Sequence, residues 1–230
     1  MLQAVIVGAL SQSALLLSGL AVYVVRVPRR VVGVLAGYGA GALVGAIAFD
    51  LIPEGEGLGS NLDIAAWLLL GAAVFVVADR LVESRFGDGA ASGMGIVVGS
   101  VVDGVPESLI FGIQLAAGQG LSIAFLAAVF VSNIPQALAP SVDLAESGWK
   151  PARMALMWGV VVVACGMTAG AGFLLADALG IDGDRAAAFA AGGLLAMMTN
   201  SLMPFAFERA GALAGIMTVV GFAASLATSS

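Results

Sequence analysis

The sequence predicts an all-α, polytopic membrane protein, a single transmembrane domain over residues 1–230 with eight transmembrane helices. Two observations carry the class and a third the architecture. Of the 230 residues, 60% are hydrophobic and only 10% are charged, whereas water-facing domains average about 45–50% and about 25%. Apolar runs recur at about 20 residues each, the length that spans a hydrocarbon core of roughly 30 Å. Internal matches then predict an inverted repeat, with helices 1–3 related to helices 6–8 around helices 4 and 5.

The elements follow in order. Segment one, Leu2 to Val25, is uncharged and is followed by Arg26, Arg29 and Arg30, the reverse of the charge order in a signal peptide. Segment two, Val31 to Pro53, sets Gly33, Gly37, Gly41 and Gly45 on one helix face, which permits close backbone approach by a neighbour. It ends in Phe49-Asp50-Leu51-Ile52-Pro53-Glu54 and leads into an acidic, glycine-rich loop. Segment three, Leu62 to Val82, places Asp63 and Asp79 near its ends, where charge is tolerated. After a polar loop from Glu83, segment four covers Ser92 to Leu115 and spaces Gly95, Gly99, Asp103 and Glu107 by four. That spacing predicts a close helix approach at the two glycines, with the carboxylates beside it.

The turn Ala116 to Gly120 is short, which predicts that segments four and five are antiparallel neighbours. Segment five runs from Leu121 to Asp143. Segment six, Met154 to Leu179, has no charge before Asp177. Segment seven, Arg185 to Phe207, carries Ala188, Gly192, Ala196, Asn200 and Pro204 at four-residue spacing. Segment eight, Gly211 to Leu226, is plain.

Loops after segments one, three, five and seven hold Arg26, Arg29, Arg30, Arg80, Arg85, Lys150, Arg153 and Arg209, leaving only Arg185 for the other side. Cytoplasmic loops retain positive charge, so both termini are expected on the extracytoplasmic side of the cell membrane. Glu54, Glu56 and Asp63 would then lie outside, as a cation-concentrating mouth or, more plainly, as a solvated loop. At an offset of 151 residues, Ala40, Gly41, Leu43, Leu51 and Pro53 match Ala191, Gly192, Leu194, Leu202 and Pro204. The charge count makes these two segments run in opposite directions, which is the basis of the inverted repeat. Such repeats, with a site at the bilayer midplane, are a recurrent plan of secondary transporters.

A shorter repeat sits at the centre. At an offset of 29 residues, Val102, Pro106, Leu109 and Leu115 match Val131, Pro135, Leu138 and Leu144, and Asp103, Gly104 and Glu107 align with Ser132, Asn133 and Gln136. A carboxylate at the bilayer centre costs roughly 2.5–3.5 kcal/mol on insertion scales, so two of them one turn apart require a reason. Pro106 and Pro135 lack an N–H, which frees the carbonyls of Val102 and Val131. Two carboxylates, two amides, a hydroxyl and free carbonyls form an oxygen-rich set suited to magnesium, manganese or calcium, and less to zinc, which favours nitrogen and sulfur but accepts carboxylates. For Asn133 or Gln136 alone, interhelical glue is the plainer reading. Asp103 and Glu107 together favour a cation or proton site, because two buried like charges repel. Asn200 fits either role.

Other chemistry is narrowed by what is missing. There is no histidine and only one cysteine, Cys165, which excludes HExxH, Ser/His/Asp and Cys/His catalysis and an intrachain disulfide. Packing is the expected role of Cys165 and of Met197, Met198 and Met203. Neither Asp50 nor Asp103 lies in a G-x-G-D protease motif, and the Gly183-Asp184 pair is expected in a loop. A net charge of -6 offers no basic footprint for nucleic acid.

At these residues the chain resembles the ZIP, or zinc/iron permease, family of divalent metal transporters. Its helix-four hallmark, H-N-x-P-E-G, is similar to Asp103-Gly104-Val105-Pro106-Glu107-Ser108, and its helix-five counterpart to Ser132-Asn133-Ile134-Pro135-Gln136-Ala137. Leu51-Ile52-Pro53-Glu54 resembles the family's L-L-P-E. The stretch from Cys165 to Gly170 resembles S-G-x-x-E-P, with Ala169 in place of a glutamate. The resemblance implies eight helices, both ends outside and a metal site between helices four and five. It also implies loss of charge at Gln136 and a substituted first ligand at Asp103, which argues against a two-metal centre. The expected metal ligands are Asp103, Glu107, Asn133, Gln136 and Ser132, with Asn200 and Asp50 as secondary candidates. The expected function is transport of a divalent cation, zinc or a harder ion such as manganese or magnesium, and not enzymatic catalysis. A non-transporting scaffold with a binding or regulatory role is the alternative. No prosthetic cofactor is expected, since the metal ion is substrate. The expected partners are that cation, the lipid bilayer and a second copy in a homodimer.

Overall fold

The computed structural model describes residues 1–52, 60–86, 93–118, 121–179 and 183–228. Pro53, Glu54 and Glu56, most of the loop from Glu83 to Ala91, and Ser92 lie outside the described residues. So does the Pro53–Pro204 match.

All elements among the described residues are helical: α1 (Leu2–Ala21), α2 (Arg29–Ala46), α3 (Asn61–Phe86), α4 (Gly93–Ala116), α5 (Ile123–Glu146), α6 (Pro151–Leu179), α7 (Gly183–Met197), α8 (Met203–Ala210) and α9 (Ala212–Thr228). Two π-helical turns, Ile47–Leu51 and Met198–Leu202, extend α2 and join α7 to α8. Seven helical spans are long and apolar enough to cross a membrane, and α9 is a shorter apolar helix. The chain is therefore a multi-pass membrane protein.

Helix ends follow local chemistry. α1 stops at Ala21, short of the expected Val25, where Tyr23 turns aside and donates its hydroxyl to the Trp149 carbonyl at 2.6 Å. α2 begins two residues early because the Pro28 carbonyl accepts from Val31 and Val32. α6 begins at Pro151 rather than Met154, since proline suits the first helical turn, where its missing N–H is not required. α5 starts after Ser122, whose hydroxyl accepts from the Phe125 N–H at 3.0 Å. α7 begins at Gly183, so the Gly183-Asp184 pair opens a helix instead of lying in a loop.

Helix pairing is set by glycines. Along α2, a Cβ at Gly33 would strike Arg209 and Ala210, at Gly37 Ala214, at Gly41 Thr218, and at Gly45 Ser225. Both sequences ascend together, so α2 and the α8–α9 stretch run parallel in backbone contact, and the expected close approach is present. A second parallel pair joins α3 and α7: Gly71 lies against Phe189, Gly192 against Leu68, and Asp63 pairs with Arg185 at 3.0 Å where both helices begin. α1 and α6 are antiparallel, since Gly8 meets Ala169 while Gly19 meets Trp158. α4 runs parallel to α6 through contacts of Gly104 with Cys165 and of Gly112 with Ala169 and Phe173.

Two expectations are corrected here. Gly99 faces open space, whereas Gly104 and Gly112 of α4 lie in close contact with α6. Nor are α4 and α5 close neighbours: α4 packs mainly on α6, and α5 on α1 and α2. A short turn brings helix ends together, but the glycine faces decide where the bodies pack. Met197 and Met198 are buried in the main core, as expected of packing residues.

The crossings predict stability. A Cβ at Gly41 would lie 1.8 Å from the Thr218 carbonyl oxygen, and one at Gly192 1.9 Å from that of Leu68. Both obstacles are backbone. Gly41→Ala and Gly192→Ala should each destabilise by about 1–3 kcal/mol or more, lowering the detergent melting temperature. Gly159→Ala, where nothing lies within 4 Å, should leave it unchanged or raise it slightly.

Candidate metal site

Glu107 is the fixed point of the site. It is 1% exposed, and α4 is held there against α6 by the glycine one turn earlier, Gly104. Gln12 of α1, wholly buried, donates its amide Nε2 to Glu107 Oε2 at 2.7 Å. The Gln12 Oε1 in turn accepts from Asn133 Nδ2 of α5 at 3.0 Å. A chain of side chains thus runs Asn133, Gln12, Glu107 and links three helices. Hydrogen bonds to a charged group stabilise by about 1.5–3 kcal/mol. Glu107 Oε1 is buried without a hydrogen-bond partner, and the neighbouring Ser108 hydroxyl is buried near Cys165.

The other expected ligands divide. Asn133 joins the Glu107 group directly. Asp103, one turn before Glu107, is half-buried and interacts electrostatically with Glu107 and with Asp79 of α3. Gln136 is half-buried, with no hydrogen bond drawing it to Glu107. Ser132 is buried, but its hydroxyl donates to the Val129 carbonyl of its own helix and its backbone packs on Gly39 of α2. Asp50 accepts from Ser122 at 2.9 Å, placing its charge at the N-terminal cap of α5, where the helix dipole favours it. Asn200 is exposed on the second π-helical turn. Neither Asp50 nor Asn200 has a contact with the Glu107 group among the described residues.

The freed carbonyl of Val102 is also less available than its spacing suggests. Val102 and Pro106 line an apolar cavity of about 170 Å³ between α3, α4 and α7, and an added Cβ at Gly193 would be 3.6 Å from the Pro106 ring. A proline ring sits beside the carbonyl four residues earlier, so this opening belongs to the Val102–Pro106 face of α4. Asp103 and Glu107 occupy the next face round.

Sequence reasoning missed Gln12, Asp79 and Gln114. Gln114 is 5% exposed with an unpartnered Oε1, seven residues beyond Glu107 and therefore on the same face. Asp103, Glu107 and Gln114 make a polar stripe along α4 that spacing alone contained. Between the last two, Phe111 and Phe125 are fully buried with ring centroids 5.0 Å apart. The signal for Gln12 was weaker: one amide in the middle of an apolar segment. Cys165 is fully buried at the same level, and a Cβ on Gly104 would lie 2.6 Å from its Sγ and 3.5 Å from Gln12 Oε1.

Among the described residues, no three acidic or cysteine side chains converge into a conventional metal cluster. What converges is one buried carboxylate, two amides and a hydroxyl, with a second carboxylate one turn away. That set can hold a single cation or proton and lacks the charge for two metals.

No protein-family model matches the chain. It is similar to an Arabidopsis thaliana protein named "Putative zinc transporter", with 30% identity over 190 residues that cover 77% of this chain. The aligned region is 30% of that relative's length.

The three-residue chain makes a measurable coupling. Gln12→Ala, Glu107→Ala and the double variant, compared by chemical or thermal unfolding, should show a coupling energy of about 1.5–3 kcal/mol. Strictly additive effects would mean that the Gln12–Glu107 bond contributes nothing.

Proposed function

We propose that this chain is a secondary transporter of the zinc/iron permease type, carrying a divalent metal cation across the cell membrane through a site centred on Glu107. The observation that carries the reading is a fully buried carboxylate where three helices meet, with one oxygen bound by an amide and the other free. Buried intramembrane carboxylates mark ion or proton pathways far more often than they serve packing. Supporting it, the Arabidopsis relative bears a zinc-transporter name. Zinc, manganese and magnesium remain the candidate ions on the oxygen donors alone.

In this reading Glu107 is the principal ligand at the bilayer midplane. Asn133 and Gln136 supply neutral oxygens from α5, and Ser132 is the least suited member because its hydroxyl is used within its helix. Asp103 receives the ion next, with Asp79 beside it. The buried Phe111–Phe125 pair closes the path between Glu107 and Gln114. Both termini face the extracytoplasmic side, by the eight-to-one distribution of basic residues.

The inverted repeat is part of the same proposal. Two structural features support it. The π-helical turns Ile47–Leu51 and Met198–Leu202 are separated by the same 151 residues as the sequence match. The crossing of Gly41 on Thr218 is matched by that of Gly192 on Leu68, again 151 residues apart at the glycines. Alternating access would then come from one group of helices rocking against the other around a fixed site.

A non-transporting scaffold is favoured by one observation, that the Gln12 amide already satisfies Glu107 Oε2 as interhelical glue would. Reconstituted vesicles separate the two. Uptake of zinc, manganese and magnesium should be measured for the native chain, Glu107→Ala and Asp103→Ala. Transport should fall at least tenfold in Glu107→Ala and less in Asp103→Ala. Unchanged uptake in both would remove the site assignment, and no uptake or binding by the native chain would leave the scaffold.

A further inference from the structure

Cys165 is the one thiol in the chain. With no histidine present, the other donors grouped around Glu107, namely Asp103, Gln12, Asn133 and Ser108, present oxygen. The resemblance and the composition give Cys165 only a packing role, and it does adjoin a buried apolar cluster with Leu15, Trp158 and Val161. Its sulfur, however, is directed at the site. The thiol lies in the gap left by Gly104, where an added Cβ would lie 2.6 Å from Sγ. On the same helix face, one turn on, stands Ser108, which interacts with the thiol, and Glu107 interacts with it electrostatically.

A second observation points to a ligand between them. Glu107 Oε1 is buried and lacks a hydrogen-bond partner, although buried polar atoms are nearly always satisfied. An unsatisfied carboxylate oxygen, a hydroxyl and a sulfur therefore lie at one level of α4, while Gln12 Oε1 would lie 3.5 Å from a Cβ on Gly104.

We propose that Cys165 is a metal ligand, and that Glu107, Cys165 and the oxygens of Ser108 and Gln12 select zinc or another thiophilic divalent ion over magnesium, manganese and calcium. This rests on the transport reading of the Glu107 site and settles the ion class that the carboxylates and amides leave open. Thiolate ligands direct a site toward zinc and soft metals, whereas oxygen-only sets suit harder ions. As the sulfur–metal bond forms, the thiol proton is released to solvent, so binding is accompanied by proton release. To take part, the Gln12 amide turns so that its oxygen, in place of its nitrogen, faces the cation.

Cobalt(II) provides the test, because a thiolate bound to it gives an intense near-ultraviolet charge-transfer band and the chain has no second sulfur of that kind. The native protein in detergent should show the band on adding cobalt, and zinc should abolish it. Cys165→Ser, a change of one atom, should lose the band and bind zinc at least tenfold more weakly, a loss that removal of even an outer-shell partner can cause. Its magnesium and manganese binding should change less. Cobalt or zinc binding that depends on Glu107 but shows no sulfur band would overturn the role of Cys165 while leaving the transport reading in place. Absence of all divalent binding, or binding unaffected by Glu107→Ala, would overturn the transport reading itself.

Discussion

In a bilayer, apolar side chains gain nothing by exchanging lipid for protein, so helices hold together by close contact and by hydrogen bonds. This chain meets that constraint with backbone crossings at glycine. Gly41, Gly71, Gly112, Gly192 and Gly221 each lie where a Cβ would come within about 2 Å of a carbonyl oxygen on the facing helix, at 1.7–2.1 Å. Every other feature follows from which helices these crossings join. They bind α2 to α9, α3 to α7 and α4 to α6, and leave α4 and α5 apart from one another.

That separation creates the site. At Glu107 the gap between α4 and α5 is bridged by α1, which packs on both α5 and α6 and inserts Gln12 beside Glu107 and Asn133. A buried carboxylate cannot stay charged without a partner, and a primary amide is an economical one. It donates to Glu107 and still accepts from Asn133, so three helices become registered by one side chain. The fit is incomplete, because Glu107 Oε1 remains open. The gap lies at the most buried level of α4, where Glu107 is 1% exposed and Ser108 wholly buried.

Much of the fold was legible because hydropathy and glycine spacing act locally. The spans were marked by long apolar runs, and the Gly33, Gly37, Gly41 and Gly45 stripe correctly signalled a close neighbour. Gly99 looked the same on paper yet faces open space, since a glycine shows that a helix can be approached and not that it is. The site was legible only in part for a related reason. Glu107 and Asn133 stood out as polar residues in apolar helices, but the Gln12 that joins them is 95 positions from Glu107 and belongs to a segment read only as uncharged and apolar. Ser132 aligned with Asp103 in the short repeat, while its actual partner, the Val129 carbonyl, is the ordinary choice of a serine in a helix. Alignment marked the positions, and side-chain chemistry reassigned them.

The same packing limits how Glu107 could be reached. Glycine crossings bring backbone against backbone and cannot slide without a clash, so α2 with α9, α3 with α7 and α4 with α6 must each move as a unit. Yielding has to occur where contact is slight, between α4 and α5 and between α3 and α4. The apolar cavity between α3, α4 and α7 lies at that second boundary, with Pro106 on its wall and one turn of α4 already missing a hydrogen bond. The π-helical turns at Ile47–Leu51 and Met198–Leu202 loosen α2 and the α7–α8 stretch just beyond their glycine crossings, and such turns are frequent at functional sites. Rigid pairs, a yielding boundary and a void beside it all border the helix that carries Glu107. The boundary with most freedom to shift therefore lies beside the helix that holds the buried carboxyl group.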